Sequence, residues 1–339
     1  MTTLARWIRS LALAGLVLCF SVVVLGAYVR LTTAGLGCPD WPGCYGHITP
    51  PSHLDIAENN QVFPNKPIDE GKAWREMIHR YAASTLGLIC VALAVLAFVT
   101  RRQRLISLPL AWGLVGIIVF QGLLGMLTVT WQVTPLVVTG HLLFGLTTLS
   151  LLWWLWLSLQ QRNSSGDPNS ARLVWQLTLI GLIALIVQIA LGGWTSTNYA
   201  DIACPDFPRC QDAWWPNSDF RDAFILWRGL GVNYEGGVLS IPARVAIHLT
   251  HRMGAIVAAL TLTLAAVTAI RRKASSTYVS AAYAVLAALI LQLTIGITMV
   301  LRGFPLSLAT AHTAGAALLL LSVLALLRGA GATARHRPF

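Results

Sequence analysis

Eight apolar stretches divide the chain, at roughly 9–30, 74–99, 105–129, 136–159, 173–195, 242–270, 277–301 and 307–328, and each is long enough to cross a bilayer as a helix. The polar residues between them fall into long connections rich in Pro, Gly and Asn, at about 31–73 and 194–243, and short basic ones. The connection from Gln161 to Pro168 is polar and turn-rich, which makes it the natural linker, with four spans on either side. The pattern predicts an all-α polytopic membrane protein of eight transmembrane helices. It divides into an N-terminal four-helix half over 1–160, a linker over 161–172, a C-terminal half over 173–328 and a loose tail over 329–339.

The two halves repeat each other. Glu76-Met77-Ile78-His79-Arg80 returns as His248-Leu249-Thr250-His251-Arg252, with the His-Arg pair 172 positions further on. Cys38-Pro39-Asp40-Trp41-Pro42-Gly43-Cys44 returns as Cys204-Pro205-Asp206-Phe207-Pro208-Arg209-Cys210, an offset of 166. Gln121 to Gly125 followed by His141 returns as Gln292 to Gly296 followed by His312, both at offsets of 171. Three motifs at near-constant offset imply an internal duplication. An even number of spans per half puts both halves the same way up, as tandem four-helix bundles related by a pseudo-twofold along the membrane normal.

Composition agrees: 56% of the 339 residues are hydrophobic and 11% charged, unlike an ordinary soluble domain. The net charge of +11 would suit nucleic acid, but its distribution points elsewhere. Thirteen cations (Arg6, Arg9, Arg101, Arg102, Arg104, Arg162, Arg172, Arg271, Arg272, Lys273, Arg328, Arg335 and Arg337) share one side of the predicted topology with a single acid, Asp167. The other side balances eleven cations with twelve acids. This bias places both termini and the short loops in the cytoplasm, with membrane lipid and no nucleic acid as the partner. The first ten residues are short for a mitochondrial transit peptide, and the first apolar run is long for a secretory signal and lacks a cleavage site. The expected location is therefore a bacterial plasma membrane.

In that topology His79, His141, His251 and His312 sit near the outer ends of the even-numbered spans. Ionisable side chains at such depth face the bundle interior, paired or liganding something. Two imidazoles per half at matched depth form a clamp suited to a haem iron, which takes axial ligands on opposite faces of a flat ring. Arg80 and Arg252 are candidates for pairing with haem propionates, or for snorkelling to headgroups. Glu76, one turn before His79, can accept protons or position water, or else anchor an imidazole or Arg80. His248 replaces it in the second half, which suggests that the first pocket does chemistry and the second holds a fixed cofactor. Gln121, Gln188 and Gln292, polar residues within the spans, read as amide bonds between helices. His47, His53 and His336 fall in loops or the tail.

Four cysteines lie on the outer side, and their spacing favours Cys38–Cys44 and Cys204–Cys210 disulfides, either as staples or as redox-active pairs. Cys19 and Cys90 fall within spans and read as packing residues.

Val29-Arg30-Leu31-Thr32, Gly35 to Pro42, Glu76-x-x-His79-Arg80, its echo at His248-x-x-His251-Arg252, and the histidines of spans 4 and 8 together resemble the haem A synthase family. The resemblance covers nearly the whole chain. It implies an eight-helix membrane enzyme that oxidises a methyl group of haem O to the formyl group of haem A for cytochrome oxidase. It implies that His79 and His141 flank the substrate haem, that His251 and His312 ligate a resident haem b, and that Glu76 is the functional acid. Haem O synthase as supplier, an electron acceptor of unspecified chemistry and a homo-oligomer are the partners it leaves open. The alternative is a quinone-linked, di-haem b-type electron carrier that does no porphyrin chemistry. Four ligands at one depth disfavour it, because such carriers stack haems across the membrane.

Overall fold

The computed structural model describes residues 3–51, 68–160, 167–272 and 276–335. His53, His336, Arg162, Lys273, Arg337 and the 161–166 part of the linker lie outside them. Among the described residues eight helices are long and apolar enough to cross a membrane: α1 Thr3–Leu31, α2 Glu70–Val99, α3 Leu108–Thr130, α4 Pro135–Ser158, α5 Pro168–Thr197, α6 Ile241–Arg272, α7 Ser276–Leu301 and α8 Leu306–Arg335. No strand occurs among those residues; the only β pairing is two isolated bridges in loops.

Starts are set by local chemistry. Asp69 caps α2 by accepting from the Lys72 N–H at 3.0 Å. Asp167 caps α5 by accepting from Asn169 and Ser170, with Pro168 at the first helical position, where no backbone donor is needed. Those donors, led by Ser170, hold the Asp167 carboxyl below the usual carboxylate range. The buried face of α5 runs Val174, Thr178, Gly181, Leu185, Ile189 and Gly193, a stripe at three- and four-residue spacing. Large apolar side chains such as Leu88, Ile183 and Leu260 remain exposed, as lipid-facing positions require.

The chain forms two compact units. The first comprises Met1–Trp156 with Ile225–Val238; the second comprises Leu157–Phe224 with Leu239–Phe339. In the first, α2 packs on α1 and α3. In the second, α5 packs on α6 and α8, and α7 joins α6 to α8, which closes a four-helix ring. The segment Ile225–Val238 belongs in sequence to the connection after α5, yet groups with the first unit. Within that unit the Trp227 ring meets Trp131 edge-on at 5.3 Å, and buried Tyr234 directs its N–H at the Gln132 carbonyl, 3.4 Å away.

The last helix departs from expectation. It continues to Arg335, past the expected end at 328, so most of the supposed tail is helical. Small residues make this favourable: Gly329 lies against Tyr278, Gly331 against Trp175, and Ala330 and Thr333 are buried.

Each cysteine loop is a compact knot. Cys38–Cys44 is a disulfide, followed by a bridge between Cys44 and His47, and Cys204–Cys210 is a disulfide followed by a bridge between Cys210 and Ala213. The Asp40 carboxylate accepts from the N–H groups of Tyr45 and Gly46, and Asp206 accepts from Gln211 and Asp212. Burial opposes ionisation of Asp206, but the Asp212 and Gln211 donors outweigh it and hold its carboxyl below the usual range.

Candidate functional site

His79, His141, His251 and His312 each face a glycine on the preceding helix. In the first unit His79 of α2 lies against Gly26 of α1, where a β-carbon would stand 2.9 Å from the ring Cε1. His141 of α4 lies against Gly125 of α3 at 3.7 Å by the same measure. In the second unit His251 of α6 meets Gly192 of α5 at 3.1 Å, and His312 of α8 meets Gly296 of α7 at 2.9 Å. Each glycine stands five residues before the end of its helix. At Gly26, Gly192 and Gly296 a side chain would push the ring away, whereas at Gly125 it would only touch it, so all four glycines line an imidazole and three of them are cradles it needs.

The rings are paired within each unit: His141 lies within electrostatic reach of His79, and His251 within reach of His312. The Nδ1 atoms of His79, His141 and His312 are buried without a hydrogen-bond partner. Three glutamines approach the histidines. Gln188 of α5 brings its Nε2 to 3.0 Å from both the His251 Nδ1 and the His251 carbonyl oxygen. Gln292 of α7 brings its Nε2 to 3.2 Å from the His312 Nε2, whereas Gln121 of α3 donates only to the His141 carbonyl.

Glu76 is 4% exposed. Its Oε2 accepts from the Cys38 N–H at 2.9 Å, and its Oε1 pairs with Arg80. The loop reaches Glu76 because Gly37 lies flat on α2: a β-carbon there would fall 2.6 Å from the Lys72 carbonyl carbon. In the second unit His248 is equally buried, but it takes a different partner. Its Nδ1 is 2.9 Å from the Ala200 carbonyl oxygen, and its ring meets Phe304 edge-on.

The two arginines serve the cysteine loops. Arg80 donates to the carbonyl oxygens of Asp40, Pro42 and Gly43 as well as to Glu76. Arg252 donates to those of Asp206 and Arg209 at 2.7 Å, with longer contacts to Pro208 and Cys204, and lies over the Phe207 ring. The sequence offered these guanidiniums as propionate partners or headgroup snorkels; in this structure their Nη groups hold loop carbonyls.

The donor set fits one kind of group. Among the described residues no three His, Cys, Asp or Glu side chains gather where they could hold a bare metal ion. Paired imidazoles suit a metal that brings its own in-plane nitrogens, which is what a porphyrin does. Gly125 and Gly296 close a repeated Gln-to-Gly motif in the sequence, but the cradle role is not legible there, although Gln121/Gly125, Gln188/Gly192 and Gln292/Gly296 share one four-residue spacing.

Fold and site together define a polytopic helical membrane protein with imidazole pairs buried between its helices. The chain belongs to the cytochrome oxidase assembly protein family, COX15-CtaA, whose pattern it matches over residues 9–324. It is 43% identical over 309 residues to a heme A synthase of Shewanella oneidensis, covering 91% of this chain and 92% of that one. Heme A synthases of Rhizorhabdus wittichii and Caulobacter vibrioides are 29% and 28% identical, over 95% and 89% of this chain and 92% and 89% of their own lengths.

Proposed function

We propose that this chain is a haem A synthase, which oxidises a methyl group of haem O to a formyl group and so makes haem A for cytochrome oxidase. The observation that carries this reading is the first-unit site, where a buried carboxylate, Glu76, stands one turn from one of two cradled imidazoles. Relatives bearing the name heme A synthase align along nearly the whole chain.

His79 and His141 would flank the substrate haem, with the Glu76 carboxylate one helical turn from His79. The methyl is oxidised through a hydroxymethyl to a gem-diol in two steps, each taking its oxygen from a water molecule and releasing two protons and two electrons, and the diol loses water to leave the aldehyde. Each oxidation releases protons at the porphyrin edge, and the Glu76 Oε atoms accept a proton or hold a water there. Cys38 N–H and Arg80 keep the carboxylate in position between turnovers. His251 and His312 hold a resident haem b, which supplies one-electron redox chemistry when bound. The enzyme lies in a bacterial plasma membrane with both termini in the cytoplasm and the histidines toward the outer side. Support comes from the one-sided arginines and from disulfides, which persist in oxidising compartments. Its two halves derive from a duplication, with the substrate site in the first. Haem O arrives from the enzyme that makes it, and the electrons leave to a separate acceptor.

The test is haem extraction and chromatography on membranes from cells that make this protein together with a haem O supply, comparing wild type with Glu76→Ala. Haem A in the wild type, with haem O or a hydroxylated intermediate in the variant, is the expected result. Haem b alone in both overturns the assignment.

A further inference from the structure

The two pairs of histidines differ in what holds their rings. Both second-unit rings meet a glutamine amide: Gln188 reaches His251, and Gln292 reaches His312. In the first unit the only corresponding glutamine, Gln121, bonds the backbone of its histidine, so neither ring meets an amide; the Nδ1 atoms of His79 and His141 are buried without a partner, as is that of His312, whose ring is met at Nε2 instead. The cause is visible in the neighbouring residues. Gln188 fits because Gly254, one turn beyond His251, has no side chain; a β-carbon there would stand 2.3 Å from the Gln188 Oε1. Gly315, one turn beyond His312, makes the same room for Gln292. The first-unit positions that match Gln188 and Gly254 hold Val22 and Ala82. One lacks the amide, and the other would block it.

We propose that Gln188 and Gln292 are positioning residues that lock His251 and His312 for permanent haem ligation, and that the bare rings of His79 and His141 leave the first unit free to exchange its haem. This rests on the reading of the second unit as a haem site. An amide suits the task because it serves an imidazole in either protonation state. Its nitrogen donates to an unprotonated ring nitrogen, and its oxygen, which is buried and unpartnered in both Gln188 and Gln292, accepts from a ring N–H after the side chain turns over. Partners of this kind fix the orientation of a ligating imidazole and raise its basicity. An enzyme that must release one haem and retain another needs the two sites to differ in dissociation rate, and this difference lies in residues that touch the imidazoles.

The experiment uses full-length protein made without a haem O supply, purified, and mixed with excess apomyoglobin as a haem scavenger. Rates of haem loss and the absorption spectrum of the retained haem are compared for wild type, Gln188→Met, Gln292→Met, Gln121→Met and His251→Ala. The Gln188 and Gln292 variants are expected to lose haem b about 10- to 100-fold faster than wild type, with an altered spectrum, and Gln188→Glu to restore part of the difference. Gln121→Met is expected to match wild type. Wild-type rates and spectra in both Gln188→Met and Gln292→Met overturn the proposal, provided His251→Ala has lost its haem. If wild type carries no haem b, or His251→Ala keeps all of it, the underlying assignment of the second unit falls instead. Should the Met variants fail to accumulate, Val22→Gln combined with Ala82→Gly tests the opposite direction. That pair is expected to slow release of haem O from the first unit, and an unchanged rate overturns the proposal.

Discussion

Glu76 has two tasks that substitution can separate. Its carboxylate receives the Cys38 N–H and pairs with Arg80, and in the proposed reaction it also takes up a proton. Glu76→Gln keeps an oxygen for the Cys38 N–H but gives up the charge and the basic site. The loop should therefore stay in place while haem A formation falls by about 10²- to 10⁴-fold, the usual contribution of a positioned base. The haem A to haem O ratio in extracted membranes measures it; full activity in this variant would reduce Glu76 to a loop anchor. The residue was legible in the sequence because an acid within an apolar span is costly and calls for a reason. The same logic found the four histidines. It allowed for the Glu76–Arg80 pair, which the structure contains, but it did not find the loop carbonyls that both arginines hold, since adjacency along a helix says nothing of which way a long side chain reaches. Both guanidiniums turn to carbonyl oxygens of the cysteine loops, and those loops come within reach only once the chain has folded over the start of α2 or α6.

At the scale of helices and loops, close approach between neighbouring spans decides where an imidazole can stand. Gly26 and Gly296 leave no room for a β-carbon unless the ring shifts and Gly192 leaves it crowded, whereas Gly125 stands at an ordinary van der Waals distance from His141 and Gly116 has nothing within 4 Å. Haem content should follow this order: Gly192→Ala and Gly296→Ala lose haem b, Gly26→Ala loses haem O, Gly125→Ala loses little, and Gly116→Ala matches wild type. Overpacking of this kind costs about 1–3 kcal/mol, enough to displace a ring or distort its helix. Pyridine haemochrome quantitation per mole of purified protein tests the series, and a flat response would mean the rings relax without consequence. The cysteine loops allow a second prediction. Arg252 binds several loop carbonyls that Lys cannot reach together, so Arg252→Lys should destabilise the protein by about 1.5–3 kcal/mol, the range for hydrogen bonds to a charged group. A lower midpoint in thermal unfolding, read with the disulfides intact, is the expected sign. Helix identity and number could be read from hydropathy alone, but the cradles could not, because a glycine within a span reads as generic packing until its facing residue is known.

For the whole molecule, hydropathy gives eight spans, and the structure adds what no periodicity could: Ile225–Val238, from the connection after α5, groups with the first unit. That assignment depends on contacts by Trp227 and Tyr234 with the turn between α3 and α4, far away in sequence. The orientation of the whole chain is a separate inference that can be tested directly. Thirteen cations against Asp167 on one side, with both disulfides on the other, argue that the basic loops stay in the cytoplasm. Green fluorescent protein fused after Phe339 should fluoresce, and alkaline phosphatase inserted after Gly46, beside the first disulfide, should be active, since that enzyme needs an oxidising compartment for its own disulfides. Replacing Arg101, Arg102 and Arg104 with Asn weakens the bias on one loop, and should lower both signals only partly because the remaining basic loops still agree. The reverse pattern, a dark C-terminal fusion with inactive phosphatase, would put the histidine pairs toward the cytoplasm. Haem O would then reach its site from the other face of the membrane, and the cysteine pairs would stand where thiols are kept reduced.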